Sequence, residues 1–307
     1  MVSAARRDDP KLVSAVIGQW QRIADRVDTF ADLAFTQPSR LPGRSVADLV
    51  VRLIGSVAML SDVVAGLPPP ATDMSLSAYL ADHLPASGTP AGVTAGTAAA
   101  PRRGQGAAGP GITDATDATD ATDPAASPAG RAGPAAPDIA DPADFAGGIR
   151  SRLRDCVVAA AAGLDGVDTG RLVTVATEGR GGGAGMRLGD FLLAGAVEGV
   201  VHGLDLGVEP VRDALRLAVK VCTGLLGARA PGRSVEVRVP PFAAVQVVEG
   251  PRHTRGTPPN VVEAEAVAFV EVAVGRLSWA AATADGRVRA SGARADLRPY
   301  LPLLRIT

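Results

Sequence analysis

The chain has 307 residues, with 31 lysines and arginines against 32 aspartates and glutamates, three histidines and two cysteines. A formal charge of -1 removes the electrostatic argument for a nucleic-acid or acidic-surface partner, and the length allows about two domains. The 36 glycines and 24 prolines, about a fifth of the chain against an ordinary ~12%, belong in loops and one unstructured tract.

The N-terminus, MVSAARRDDPK, has no apolar targeting core, and no uncharged apolar run approaches the ~20 residues that span a bilayer. Cys156 and Cys222 lie in apolar helical patterns, where free cysteine acts as a small hydrophobe. A soluble protein of the reducing cytoplasm is expected, with no membrane span.

Residues 11–35 place Leu12, Val16, Trp20, Ile23, Val27 and Phe30 at helical spacings, so one amphipathic helix is predicted there. Ser45, with Asp48 three residues on, predicts a capping box. The helix that follows turns Leu49, Val50, Leu53, Ile54, Val57 and Leu60 inward and ends near Gly66. His83 falls on a short helix after Tyr79-Leu80-Ala81-Asp82.

Residues 85–137 are Ala, Gly, Pro, Thr and Asp, with a repeated Ala-Thr-Asp unit, and offer little to offset the entropy of ordering. They read as a disordered insertion. Asp114, Asp117, Asp120 and Asp123 lack the central glycine and terminal glutamate of a calcium loop.

Proline at 142 opens a third long helix, whose predicted stripe is Phe145, Ile149, Leu153, Val157, Ala160 and Leu164. A short strand over 172–177 leads to Gly179-Arg-Gly-Gly-Gly-Ala-Gly185, which lacks the ending of a phosphate-binding loop and reads as a surface loop.

Residues 188–206 are helical, with Leu193, Val197, Val200 and Leu204 apolar and Glu198, His202 and Asp205 at i, i+4 and i+7. Acid and imidazole one turn apart can hold a divalent ion, but two ligands need a third from a neighbouring helix. Spacing alone suits an ordinary hydrogen-bonded helical pair better.

Two separated runs, Leu41-Pro-Gly-Arg-Ser-Val-Ala-Asp-Leu-Val-Val-Arg-Leu-Ile-Gly-Ser56 and Val197-Glu-Gly-Val-Val-His-Gly-Leu-Asp-Leu206, resemble the N-terminal domain of the mycothiol-dependent maleylpyruvate isomerase family. The resemblance implies a DinB-like four-helix bundle over 1–84 and 138–208. Its metal would be held by a second-helix histidine and by a fourth-helix glutamate and histidine. Glu198 and His202 match the latter pair and Asp205 the acid that follows, but Arg52 stands where the histidine is expected. Guanidinium has no lone pair for a metal, and the expectation is an Arg52 to Glu198 ion pair in a degenerate metal site.

Beyond a helix over 211–226, alternation over 234–239 and, in part, 244–248 predicts strands. Asn260 with Glu263 predicts a helix N-terminus, and 278–283 with 287–291 around Ala284-Asp285-Gly286 predicts a hairpin. A last short helix is predicted over 296–301. The blocks from His253 to Glu263, Gly275 to Trp279 and Ala290 to Leu297 resemble the bacterial sterol-carrier-like domain of actinobacterial proteins. That implies, over 209–307, a mainly antiparallel five-stranded sheet with helices over an apolar cavity. Phe269, Val270, Leu277 and Trp279 are its candidate ligand-binding residues, with His253 and Arg255 near a head group.

The fold class expected is therefore α+β. The favoured function is non-catalytic binding or carriage of a hydrophobic or amphipathic, lipid-like small molecule, with no catalytic residues and no cofactor. The alternative is a mycothiol-dependent, metal-assisted isomerase or transferase using zinc or another divalent ion at Glu198 and His202.

Overall fold

The computed structural model describes residues 10–66, 73–83, 142–176, 183–250 and 259–306. The expected insertion over 85–137, most of the glycine loop, and His253 and Arg255 lie outside them. The described residues form eight α-helices and two small sheets, a mixed α+β architecture within one compact unit.

Helix α1 (Leu12–Asp28) buries Leu12, Val16, Trp20, Ile23 and Val27. It stops seven residues short of the predicted end: Thr29 Oγ1 donates to the Arg26 carbonyl at 2.7 Å, and a short 3-10 turn over Asp32–Thr36 follows. The turn carries Phe35 into the core, edge-on to Phe30.

Helix α2 (Val46–Ala65) begins as its sequence predicts. Ser45 Oγ accepts from the Asp48 amide at 3.1 Å, and the Asp48 carboxylate accepts from the Ser45 amide at 2.9 Å. Those bonds, first from the Ser45 backbone and then its hydroxyl, hold the Asp48 carboxyl below the usual carboxylate value.

Strand β1 (Asp73–Met74) and helix α3 (Leu76–His83) precede helix α4 (Pro142–Leu164), which packs along α2. The buried stripe of α4 is Ala146, Ile149, Leu153, Val157, Ala160 and Leu164. Phe145, predicted to lead that stripe, is instead 48% exposed, and Ala146, at i, i+3 and i+7 with Ile149 and Leu153, takes the inward position. Strands β2 (Leu172–Val175) and β3 (Ala184–Arg187) pair antiparallel, and β3 pairs parallel with β1. The Ala184-Gly185 end of the predicted glycine loop is therefore strand.

Helix α5 (Leu188–Asp205) lies against α1, and Gly199 and Gly203 make the approach possible. A Cβ at Gly203 would stand 2.7 Å from Gln19 Nε2, and one at Gly199 would stand 3.2 Å from Gln19 Cγ. Gln19 is fully buried and works as a pin: Nε2 donates to the Gly199 carbonyl at 3.1 Å and Oε1 accepts from the Val211 amide at 2.8 Å. It thus ties α1 to α5 and to the start of α6 (Arg212–Arg229).

In the C-terminal part, β4 (Val235–Val239) and β5 (Ala243–Val247) form a hairpin, β6 (Val261–Ala264) runs parallel to β4, and β7 (Val288–Ser291) pairs antiparallel with β6. The order is β5-β4-β6-β7, four strands among the described residues where the resemblance implied five. Helices α7 (Ala266–Ala273) and α8 (Trp279–Ala284) complete it.

Two predictions are corrected here. Asn260 does not cap a helix; Val261–Ala264 is strand, and Asn260 donates from Nδ2 to the Ser234 carbonyl at 2.9 Å and accepts from the Arg294 amide at 3.0 Å. Residues 278–291 are not a hairpin but a helix followed by a strand. Ser278 Oγ caps α8 through the Ala281 amide at 3.1 Å, three of the four residues after Trp279 are alanine, and Gly286, with φ +78°, follows its C-cap. The expected last helix is a 3-10 turn over Arg298–Tyr300.

Candidate functional site

The C-terminal end of α5 carries the residues with metal-site spacing. His202 is fully buried, and its Nδ1 lies 3.2 Å from Asp205 Oδ2. An ionised carboxylate only accepts, so the shared proton is on Nδ1. Asp205 in turn receives a forked contact from Arg276, Nε to Oδ1 at 2.9 Å and Nη2 to Oδ2 at 2.9 Å. Burial pushes the Asp205 carboxyl up, but the hydrogen bonds from His202 and Arg276 and the guanidinium charge outweigh it, and the carboxyl is held below its ordinary value. These three side chains form a buried polar chain that ties α5 to the turn after α7.

Glu198 is half-buried and belongs to a different neighbourhood. Burial pushes the phenol of Tyr79 on α3 well above its ordinary value, and the Glu198 charge adds to that rise. Tyr79 stacks on His83 with ring centroids 4.0 Å apart, and His83 Nδ1 lies 3.1 Å from the Tyr79 carbonyl.

The expected Arg52 to Glu198 pair does not form. Arg52 is exposed on α2, at the flank of the stripe of Leu49, Leu53 and Val57, and among the described residues it has no carboxylate within salt-bridge distance. The donor set does not fit a metal: Asp205 is committed to Arg276, Arg52 offers no lone pair, and among the described residues no three His, Cys, Asp or Glu side chains gather as a metal group. His202 Nε2, buried without a hydrogen-bond partner, is a single ligand atom.

Among the candidate ligand residues, Phe269 and Val270 are buried on α7, while Leu277 and Trp279 pack against the same core. None of them lines the three clefts, of about 880, 540 and 340 Å³, that the described residues form at Arg52, Lys220 and Glu263.

The most spacious of those three lies elsewhere. A cleft of about 880 Å³ is bounded by the loop before α2, the first turns of α2, Phe145 at the start of α4, the turn 274–276 and residues 305–306. Five of its fifteen lining residues are arginines, Arg40, Arg44, Arg52, Arg276 and Arg305, against one acid, Asp48. Its apolar lining includes Leu41, Leu49, Ile306 and the exposed Val51 and Phe145. Arg40 is spoken for, with Nη2 donating to Glu271 Oε1 at 3.0 Å and Nη1 to the Leu204 carbonyl at 3.2 Å.

Only Arg52 of these arginines was legible as a site residue. Arg44 directly precedes the Ser45 cap and Arg305 stands in a short terminal segment without periodicity, so neither carried a signal. Cys222 is buried as expected, its thiol pushed up to about 12 by burial.

Residues 211–303 match the family described as bacterial SCP ortholog, just under a third of the chain. Among solved structures, the crystal structure of the mycothiol-dependent maleylpyruvate isomerase is similar at 12% identity, covering 93% of this chain and 93% of that one, with a TM-score of 0.49. A histidine-to-alanine mutant of a mycothiol-dependent maleylpyruvate isomerase is similar at 14% identity, with the same coverage of both chains and a TM-score of 0.46. No curated protein matches the chain. No helix among the described residues is long and apolar enough to cross a membrane.

Proposed function

We propose that this chain binds an amphipathic small molecule without turning it over, and that the site is the arginine-rich cleft rather than the α7 face. The observation that carries the reading is the cleft's composition: apolar walls and donors together in about 880 Å³, the size and mixture of a small-molecule site. The match of residues 211–303 to the bacterial SCP ortholog family supports a carrier-like role, since that segment supplies Val274, Gly275 and Arg276 to the cleft.

In this reading the helical part, residues 1–84 and 138–208, is a DinB-like four-helix bundle with a degenerate metal site. Residues 209–307 are the sterol-carrier-like domain, whose sheet takes a fifth strand, and both parts meet the ligand. Zinc and mycothiol have no place in it, because the acid beside His202 is occupied by Arg276 and the second-helix position is Arg52.

Uptake of a fluorescent fatty acyl probe by the full chain tests the reading. Saturable binding, lost when Val51 and Phe145 are both changed to aspartate, is expected. A chain that takes up no probe, or one whose uptake ignores both substitutions, contradicts it.

A further inference from the structure

The arginines of this protein are, in many places, paired. Arg150 sits against Asp32 at 2.7 Å, Arg238 against Glu236 at 2.6 Å, Arg287 against Asp285 at 2.6 Å and Arg298 against Asp296 at 2.6 Å. The cleft departs from that habit. Arg44, Arg52 and Arg305 line it with no carboxylate within salt-bridge distance among the described residues; its single acid, Asp48, is hydrogen-bonded in the Ser45 cap and acts on Arg44 only through its charge.

A chain with as many acids as bases is under no compositional pressure to gather unpaired cations in one hollow, where they repel each other. A fourth arginine of the lining is held in place. Asp205 grips the Nε and Nη2 edge of Arg276, and His202 holds Asp205, so the orientation of Arg276 at the cleft wall is fixed.

Val51 and Phe145, 52% and 48% exposed, line the same hollow and are two of the larger apolar side chains left in water. Donors that suit acid oxygens and an apolar surface that lacks a cover thus share one cleft.

We infer that the occupant of the cleft is an organic anion, its acid head group held by Arg44, Arg52 and Arg305 beside the fixed Arg276, and its apolar tail laid along Val51 and Phe145. The inference rests on the binding role proposed above and adds the charge of the ligand. Phosphate monoesters and carboxylates share the required chemistry, planar or tetrahedral oxygens that take paired N–H donors.

Calorimetric titration of the full chain with octyl phosphate, octanoate, octanol and inorganic phosphate tests it. At low salt, at least one of the two tailed anions is expected to bind about tenfold or more tightly than octanol, the scale of one charge-assisted hydrogen bond. The tighter of the two names the acid, and its advantage should shrink in high salt, since these arginines are exposed.

Arg44→Gln, Arg52→Gln and Arg305→Gln combined should lose that advantage and leave octanol affinity unchanged, with circular dichroism confirming the fold. Octanol binding as tightly as both anions overturns the inference and leaves the amphipath-binding role standing. Inorganic phosphate binding as tightly as octyl phosphate overturns the role of the tail, and with it the proposed function. An anion advantage that survives the triple substitution places the head group elsewhere and overturns the site.

Discussion

Two clusters of charge meet at Arg276 and have opposite fates. Behind it, His202 and Asp205 are buried and bonded to one another: His202 Nδ1 meets Asp205, the acid is neutralised by the guanidinium, only His202 Nε2 is left over, and the chain joins α5 to the turn after α7. In front of it, Arg44, Arg52 and Arg305 line a cleft whose one acid is Asp48, and among the described residues none of the three has a carboxylate within salt-bridge distance. His202 and Asp205, two of the residues with metal-site spacing, tie α5 to the turn after α7, while Arg52 lines the cleft. Burial decides the difference, since an unpaired charge is tolerable in water and costly out of it.

The largest effect should come from cutting the shared residue. Arg276→Ala strands the Asp205 carboxylate in the core, and thermal or denaturant unfolding should register a loss of about 3–5 kcal/mol, the usual cost of removing one partner of a buried pair. A loss within experimental error would mean that the buried chain contributes nothing.

His202→Leu removes only the donor on the other side of Asp205 and should cost about 1–3 kcal/mol. His202→Asn, which can place an amide N–H near the same oxygen, should recover part of it. A metal ligand would show the opposite order of tolerance, with neither variant rescued and metal content as the variable.

The same cluster sets a pH dependence. Because the folded Asp205 carboxyl titrates below its unfolded value of ~3.9, its stabilising contribution is complete above that value and disappears as pH falls through the folded one. Acid unfolding of Asp205→Asn compared with the unmodified chain should therefore show the variant less sensitive to pH below about 4. Equal sensitivity would contradict the buried ion pair.

On the cleft side the stability effects should be small. Ser45→Ala removes the cap beside the cleft and should cost about 1 kcal/mol. Arg52→Gln should change stability by less than about 0.5 kcal/mol, as exposed substitutions do, while weakening an anionic ligand. If Arg52→Gln instead destabilised the protein strongly, the contrast between the two clusters would fail.

The long elements were legible because their signals agree with one another. Helix α2 shows its cap at Ser45 and Asp48, its stripe and its end at Gly66, and β4 shows strict alternation. Two C-terminal elements were misread where a short apolar run admits both periods. Val261-Val262-Glu263-Ala264 passes into α7 with only Glu265 between, and the glycine taken for a hairpin turn at 286 follows the last turn of α8.

The site was less legible than the fold. Spacing placed Glu198, His202 and Asp205 on one side of a helix, but it could not say that Arg276, 71 residues away, would claim Asp205. Nor could it show that Gln19 would be the polar pin of the helical part, since a single glutamine among apolar neighbours looks like a surface position. Arg44 and Arg305 acquire meaning only once the ends of the chain's two halves are brought beside each other.

Native mass spectrometry with elemental analysis, on full chain purified from its own host, tests the central claim most directly. The account predicts a population carrying an acid-bearing apolar molecule, released when Arg44, Arg52 and Arg305 are replaced by glutamine, and no stoichiometric zinc. A one-to-one zinc complex free of any organic ligand would contradict it.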